Sequence, residues 1–313
     1  MQENFDFIVN GDKRMYVRHI PAAKNTNNAA ILFNSRSLCV ESTMGVSMGT
    51  ISYGDKLAGD GIETFLVDMR GYGSSTLLEE QTVEDITLVN NPYTTDDIYS
   101  DLMDSVMYVK NKLGPDVKIT LVGFSYLGSL AVMFAALNPG LVDNIVAINP
   151  KWVRLPTDPR PKVNFFQAMD DNIPYSKVTM DLIKTRFDAA QPSEPHFTRN
   201  FQEDQWYDAA QGTLSKYIIT FDEATQDWKI PKPFAPGPLN NYFRLFDFSK
   251  LTANVLITSA QYDNENPIFM TSRFYGKLSM KTSFYKVLPN ATHLCIWEKA
   301  RHQLYDWTSE FIL

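Results

Sequence analysis

Three side chains suited to nucleophilic catalysis lie far apart in the sequence: Ser125, Asp263 and His293. Acyl transfer requires a nucleophile, a base that takes its proton, and a carboxylate that orients the base. The order serine, aspartate, histidine is one of the chain orders in which such a triad occurs. Each of the three follows a segment predicted to be a buried strand. A parallel sheet would therefore bring them together at the carboxyl ends of its strands.

Ser125 stands inside a short glycine-bounded segment, Gly-Phe-Ser-Tyr-Leu-Gly, at residues 123–128. The β-branched run at 119–122 predicts a strand, and the alanine- and leucine-rich run at 129–137 predicts a buried helix. A strand that turns directly into a helix, with a serine at the corner, is the setting of a nucleophile elbow. The spacing departs from Gly-x-Ser-x-Gly because Leu127 occupies the position of the second glycine.

The same region is expected to supply hydrogen-bond donors for an oxyanion. The first is the backbone N–H of Tyr126, which follows the nucleophile at the start of the predicted helix. The second would come from the polar loop after the predicted strand at 29–33, through the backbone of Ser35 or Arg36. Alternatively, the side chain of Arg36 would bind a carboxylate of the substrate.

Other ionisable side chains compete for the catalytic roles. Glu265 is the alternative carboxylate, but Asp263 lies closer to the end of its predicted strand and is preferred. Cys39 and Cys295 do not lie on glycine-flanked turns, which favours a packing role. The remaining histidines fall at the end of an early strand, in the aromatic-rich middle of the chain and in the last helix: His19, His196 and His302. No His-x-x-x-His pair is present, so no metal site is predicted. No cofactor is predicted either.

The composition narrows the classes of function. The chain has 313 residues, a net charge of -7 and a sequence pI near 5.2, with no cluster of lysines and arginines. Nucleic-acid binding is not expected, since phosphate contacts require a basic face. The first residues lack the pattern of a signal peptide, and no apolar run reaches the roughly 18 residues of a membrane span. We therefore expect a cytoplasmic protein with no membrane partner.

Strands and helices alternate along both ends of the chain, which predicts an α/β fold with a doubly wound, mostly parallel sheet. An Asn-Gly turn between two alternating segments predicts an N-terminal hairpin. Further strands are predicted at 29–33, 63–67, 119–122, 144–148, 254–258 and 283–288. Helices are predicted at 41–57, from a Thr-Thr-Asp-Asp cap at 94–97 to 113, and at 268–278 and 299–313.

The character of the sequence changes between residues 151 and 248. Prolines and aromatic residues become frequent, and helix-like segments such as 174–190 are followed by prolines. We predict that 151–248 is an inserted, mainly helical cap over the site, and that 1–150 and 249–313 form the core. The alternative is a second domain that makes no contact with the site.

Four segments resemble the α/β-hydrolase superfamily. Residues 67–75, Val-Asp-Met-Arg-Gly-Tyr-Gly-Ser-Ser, are similar to the family's Asp-x-Arg-Gly-x-Gly-x-Ser turn, and 123–128 are similar to its nucleophile elbow. Residues 263–267 are similar to the turn that carries the acid, and 292–298 to the histidine loop. The resemblance implies an α/β-hydrolase fold with a cap after the sixth strand of the family's sheet. It assigns the nucleophile, acid and base roles to the three residues named first.

The resemblance also bears on the chemistry. At residues 34–35, Asn-Ser replaces the His-Gly that is frequent in the family, which affects the second oxyanion donor. A serine nucleophile disfavours the dehalogenase and epoxide hydrolase reactions, which the family runs on an aspartate. The predicted function is a serine hydrolase that cleaves an ester or thioester of a small substrate with a bulky or aromatic acyl group. The alternatives are a carbon–carbon bond hydrolase of the β-diketone type, an acyltransferase, and a non-catalytic receptor. The sequence leaves open whether the protein forms a homodimer and whether its substrate is a thioester attached to a carrier.

Overall fold

The computed structural model of the chain describes most of the two predicted core segments and short parts of the segment between them. The described residues are 5–24, 26–33, 38–77, 94–159, 175–178, 185, 192, 221–222, 227–231, 246–279 and 281–313.

Eleven strands and six helices lie within these residues. The strands are β1 (Phe5–Asn10), β2 (Lys13–Ile20), β3 (Asn28–Phe33), β4 (Glu63–Val67), β5 (Lys118–Phe124), β6 (Asn144–Ile148), β7 (Tyr175–Val178), β8 (Phe221–Asp222), β9 (Asp227–Pro231), β10 (Asn254–Ala260) and β11 (Ser283–Leu288). The helices are α1 (Val40–Thr43), α2 (Tyr53–Asp60), α3 (Thr95–Leu113), α4 (Tyr126–Leu137), α5 (Ile268–Tyr275) and α6 (Arg301–Ile312). None of the described helices is long and apolar enough to cross a membrane.

Eight of the strands form one sheet in the order β1-β2-β4-β3-β5-β6-β10-β11. The hairpin of β1 and β2 is antiparallel, and β2 also pairs antiparallel with β4. All the other pairs of this sheet are parallel. The prediction of a mostly parallel, doubly wound α/β sheet is confirmed. Strand β5 lies between β3 and β6, so the segment that ends at Ser125 runs through the middle of the sheet.

The helices cover both faces of this sheet. One apolar cluster joins α3, α4 and α5 to one face through side chains such as Ile31 and Leu121. A second cluster joins α2 and α6 to the other face through side chains such as Leu32 and Val122. Because successive side chains of a strand point to opposite faces, these neighbouring residues serve different clusters. The central strands β3, β5 and β6 are thus buried on both sides, as their continuous apolar runs predicted.

The expected helix at 41–57 is wrong in part, because α1 and α2 are separated by a non-helical stretch at 44–52. A Cβ on Gly45 would lie 2.2 Å from a carboxylate oxygen of Glu41, and Gly49 has a positive φ of 68°. Ser52 then begins a new helix, since its hydroxyl accepts a hydrogen bond from the N–H of Asp55. The glycines therefore mark a break in the helix.

The helix α3 begins as its cap predicted. Thr94 and Asp97 form a reciprocal capping box. Arg70, in the turn after β4, donates through Nε to Asp101 Oδ1 at 2.7 Å and also contacts Asp97. The Asp-x-Arg-Gly segment thus fastens the end of β4 to helix α3.

Within residues 151–248, the described parts include three short strands in the antiparallel order β7-β9-β8. Strand β7 falls inside the helix-like segment 174–190, so a helix is wrong at 175–178. Most of the remaining residues of this segment lie outside the described ones. The mainly helical cap and the domain boundaries at 150 and 249 therefore stay predictions.

Candidate active site

Ser125 occupies the single residue between strand β5 and helix α4. Its backbone has φ 57° and ψ -116°, a conformation that costs a non-glycine residue about 1–3 kcal/mol. Two backbone hydrogen bonds hold it there: its N–H donates to Ile148 O at 2.7 Å, and its carbonyl accepts from the N–H of Lys151 at 3.1 Å. Both partners belong to β6 or the residues directly after it. The neighbouring strand therefore maintains the strained corner.

Two glycines allow the strand and the helix to approach each other at this corner. A Cβ on Gly123 would lie 2.7 Å from the backbone nitrogen of Gly128 and from the backbone carbon and oxygen of Leu127. A Cβ on Gly128 would lie 2.8 Å from the carbonyl oxygen of Gly123. Gly128 therefore provides the close approach one position later than the family pattern places it. The side chain of Leu127 is buried in the apolar core.

The structure brings together the three side chains that the sequence singled out. His293 lies in the loop after β11, and its Nδ1 is 2.7 Å from Asp263 Oδ2. On the other side of the ring, its Nε2 is 3.2 Å from Ser125 Oγ. The imidazole is 1% exposed, and the carboxylate is fully buried. A base thus links a buried carboxylate to a hydroxyl on a strained turn, in the arrangement that activates a serine nucleophile.

The contacts of the two candidate carboxylates distinguish their roles. Asp263 directs Oδ2 to the imidazole, and its Oδ1 accepts from the backbone N–H groups of Glu265 and Asn266 at 2.9 and 2.7 Å. The Glu265 carboxylate lies on the other side of the ring, with Oε2 at 3.6 Å from His293 Nε2. Only Asp263 is therefore placed to orient the ring through Nδ1.

The comparisons with known proteins agree with the fold. A profile described as alpha/beta hydrolase fold matches residues 47–300. The chain belongs to the α/β-hydrolase fold family. A search of curated proteins found no match.

Solved structures with the same fold cover almost the whole chain. The thioesterase domain of the curacin biosynthetic pathway is 14% identical, with a TM-score of 0.63 over 98% of this chain and 99% of that one. A variant of the meta-cleavage product hydrolase CumD is 14% identical, with a TM-score of 0.62 over 98% and 97%. Est1E from Butyrivibrio proteoclasticus, with ferulic acid bound, is 15% identical, with a TM-score of 0.55 over 98% and 97%. At such identities these likenesses show the fold alone.

Within this α/β-hydrolase site, two asparagines that the sequence analysis did not single out connect the loops. Asn149 follows β6 at a positive φ of 44°, and its Nδ2 donates to the carbonyl of His293 at 3.0 Å. Its Oδ1 accepts from the N–H of Ala260, the last residue of β10, at 2.7 Å. Asn266 donates through Nδ2 to Asn149 O at 2.9 Å and to Ser125 Oγ at 3.3 Å. The position of Asn149 after a buried strand was the one available signal, because Ser125, Asp263 and His293 were predicted to lie at the same edge of the sheet.

A second buried carboxylate holds the histidine loop. Glu298 is 1% exposed, and its two oxygens accept from the N–H and the hydroxyl of Thr292, at 2.8 and 2.5 Å. Burial raises the pKa of this carboxyl to about 6. Thr292 directly precedes His293, so Glu298 fixes the start of the loop that carries this imidazole.

Of the two backbone donors expected for the oxyanion, the structure describes one. Tyr126 is the first residue of α4, so its backbone N–H is one of the helix's leading donors, beside Ser125. Ser35 and Arg36 lie outside the described residues. The expectation for the second donor therefore stays a prediction.

The structure also describes the surroundings of both cysteines and of two further histidines. Cys39 and Cys295 are buried and free, and burial raises the pKa of the Cys39 thiol to about 12, which disfavours the reactive thiolate. His19 contacts Glu63 and stacks on a phenylalanine ring of β4, and His302 packs edge-on against a tyrosine of α6. His196 lies outside the described residues. In the described part of the chain, no group of three or more acidic, histidine or cysteine side chains is arranged to hold a metal ion.

Asp68, directly after β4, is a fully buried carboxyl whose protonation should affect stability. Its Oδ1 accepts from the N–H of Val40 at 2.6 Å, whereas its Oδ2 has no hydrogen-bond partner among the described residues. Burial raises its pKa from 3.8 to about 8. Between these values the folded protein binds a proton that the unfolded chain does not. This carboxyl therefore favours folding below pH 4, and that contribution is lost as the pH rises towards 8.

We expect Asp68→Asn to remove this pH dependence. The free energy of unfolding of the variant minus that of the wild type should be about 1–3 kcal/mol larger at pH 9 than at pH 6, since one pKa unit corresponds to about 1.4 kcal/mol. Denaturant unfolding at both pH values measures the difference. The control is Asp12→Asn, at an exposed position in the hairpin turn. Its stability relative to the wild type should be the same at pH 6 and pH 9. A parallel pH response of Asp68→Asn and the wild type would contradict the assignment.

Proposed function

We propose that the chain is a serine hydrolase that cleaves an ester or a thioester through an acyl-enzyme. The observation that carries the proposal is the position of His293, within hydrogen-bonding distance of both Asp263 and the hydroxyl of Ser125. The strained elbow supports it, because a conformation that costs free energy is retained where it serves a site. The family is consistent with a hydrolase, and its members run many reactions on one fold.

The geometry suggests how each group acts. Ser125 Oγ attacks the carbonyl carbon of the substrate while its proton passes to His293 Nε2. Asp263 keeps the Nδ1–H of the ring in place and stabilises the imidazolium that forms. The imidazolium then protonates the leaving group, and the acyl group stays on Oγ. Water repeats the sequence, with the base activating it and the serine oxygen as the leaving group.

The N–H groups at the start of α4 support stabilisation of the oxyanion. Helix α4 begins one residue after the nucleophile, so its first backbone donors and the positive end of its dipole lie beside the reacting carbonyl. Loss of one such donor in a preorganised site lowers the rate by about 10²–10³. Tyr126 therefore contributes through its backbone, and its side chain is not required for this role.

The preference for a bulky or aromatic acyl group rests on the aromatic residues of 151–248. Some of those aromatics pack in the core: Trp152 is buried and stacks on Phe274 at 4.3 Å, and Phe248 lies against both rings. Trp152 and Phe248 therefore account for part of the aromatic content of the segment without a substrate. The remaining aromatic residues of the segment carry the proposed preference.

The test of the proposed function is a panel of activated esters and thioesters with short, branched and aromatic acyl groups. We expect product release by the wild type and a rate at least about 10³-fold lower for Ser125→Ala, since removing the nucleophile leaves only residual catalysis. Equal rates for the two proteins would contradict the proposal. Binding of these compounds without turnover by either protein would favour a receptor.

A further inference from the structure

The side chain of Asn266 touches the reacting oxygen. Its Nδ2 lies 3.3 Å from Ser125 Oγ, on a residue that is 4% exposed. The same nitrogen donates to the carbonyl of Asn149 at 2.9 Å. A backbone carbonyl can only accept a hydrogen bond, which fixes the orientation of the amide with its nitrogen towards both partners. The group facing Ser125 is therefore a donor.

A donor at this position constrains the serine hydroxyl. A hydroxyl has one proton to donate and two lone pairs that accept. With one lone pair engaged by the Asn266 amide, the Oγ–H is directed to the acceptor that remains nearby, His293 Nε2 at 3.2 Å. This orientation is the one from which the base takes the proton. As the proton leaves, the amide also stabilises the negative charge that develops on Oγ.

The turn that carries Asn266 is held from several directions. The backbone N–H of Asn266 donates to Asp263 Oδ1 at 2.7 Å. The next residue, Pro267, has φ -57° and directly precedes helix α5. A single turn thus supports the acid through its backbone and the nucleophile through a side chain. A group that is held in this way loses little freedom when it acts.

The charges around His293 explain why a neutral donor suits this position. Asp263 and Glu265 face the two ring nitrogens, and the buried Glu298 lies at the other end of the histidine loop. Arg154 is a cation near these carboxylates, and its Nη2 donates to the backbone carbonyl of Glu265 at 3.1 Å. An amide contacts Oγ without adding another charge to these carboxylates.

We propose that Asn266 is a further catalytic residue of this site, which orients the Ser125 hydroxyl towards His293 and stabilises charge on Oγ. This inference rests on the proposed serine hydrolase function. In acylation, the Oγ–H bond breaks as the Oγ–carbon bond forms, and the proton passes through Nε2 to the leaving group as its bond to the acyl carbon breaks. In deacylation, water forms a bond to the acyl carbon and gives a proton to Nε2, and this proton passes to Oγ as the Oγ–carbon bond breaks. The Asn266 amide donates to the same oxygen in both steps.

The test compares the rate constants with which a fluorophosphonate labels Ser125 between pH 6 and 9, followed by intact mass. Asn266→Leu removes the donor and keeps the branching and the number of heavy atoms, and Asn266→Asp replaces the amide with a carboxylate. Asn264→Asp, in the same turn, is the control for the added charge. Thermal unfolding of all four proteins separates a loss of fold from a loss of reactivity.

We expect Asn266→Leu to react about 10–100-fold more slowly, the range for one hydrogen bond to a charged group. Asn266→Asp should also be slowed, with the acid limb of its pH profile at higher pH because a new carboxylate faces the imidazolium. Asn264→Asp should react within about twofold of the wild type. Folded Asn266 variants that react at the wild-type rate would overturn the inference and leave the proposed function intact. A folded wild type that does not react would overturn both.

Discussion

Replacing Asp263 with asparagine should lower kcat/KM by about 10⁴-fold while the protein stays folded. The reason lies in the partners of the two carboxylate oxygens. Oδ1 accepts from the backbone N–H groups of Glu265 and Asn266, so the amide oxygen of an asparagine would take that place. Its NH₂ group would then face Nδ1 of His293 and donate to it. The ring would carry its proton on Nε2, where it could not accept the proton of Ser125.

The control for this prediction is Glu265→Gln. The Glu265 carboxylate lies 3.6 Å from Nε2, whereas Asp263 contacts Nδ1, so we expect the tautomer of the ring to survive the loss of Glu265. We expect less than about a tenfold change in kcat/KM, with both variants measured on one activated ester at pH 8. A larger effect for Glu265→Gln than for Asp263→Asn would contradict the assignment of Asp263 as the orienting acid.

The second large effect is expected for Gly123→Ala. The added methyl group would lie 2.7 Å from three backbone atoms of Leu127 and Gly128, which belong to the first turn of a buried helix. Backbone atoms in this position cannot move aside as the end of a flexible side chain can. We expect a loss of about 3 kcal/mol or more in the free energy of unfolding, at the upper end of what overpacking costs. Activity should fall as well, because the elbow would have to open.

Gly59→Ala provides a matched comparison for the same chemical change. Gly59 is exposed in helix α2, and a Cβ there would have no neighbour within 4 Å. We expect this variant to be more stable than the wild type by about 0.5–1 kcal/mol, the helix propensity difference between alanine and glycine. Denaturant unfolding measures both variants. Similar stabilities for Gly123→Ala and the wild type would show that the strand and the helix are not in close contact.

The parts of the fold that follow local sequence patterns were predictable. Apolar strands, the Asn-Gly hairpin and the capping box at Thr94 each depend on residues within a few positions of one another. The positions of Ser125, Asp263 and His293 after three predicted strands were also visible, because a parallel sheet aligns the carboxyl ends of its strands. The sequence therefore predicted which residues would meet.

The parts that depend on distant contacts were not predictable in the same way. Asn149 and Asn266 are 117 residues apart, and neither lies in a motif that suggests an amide pair. The break at 44–52 includes Gly45, where a Cβ would lie 2.2 Å from a carboxylate oxygen of Glu41, a contact that a helical pattern does not reveal. The second elbow glycine was recognised one position late, but its role is set by the distance between Gly128 and Gly123, which requires coordinates.

The most direct test of the central claim is the intact mass of the protein after incubation with a fluorophosphonate, followed by peptide mapping. Wild type, Ser125→Ala and His293→Ala are compared. We expect one adduct on the wild type, located on the peptide that contains Ser125, and no adduct on either variant, since the reagent reacts with a serine that a base has activated. A folded wild type that stays unmodified, or an equal adduct on Ser125→Ala, would contradict the assignment of Ser125 as an activated nucleophile.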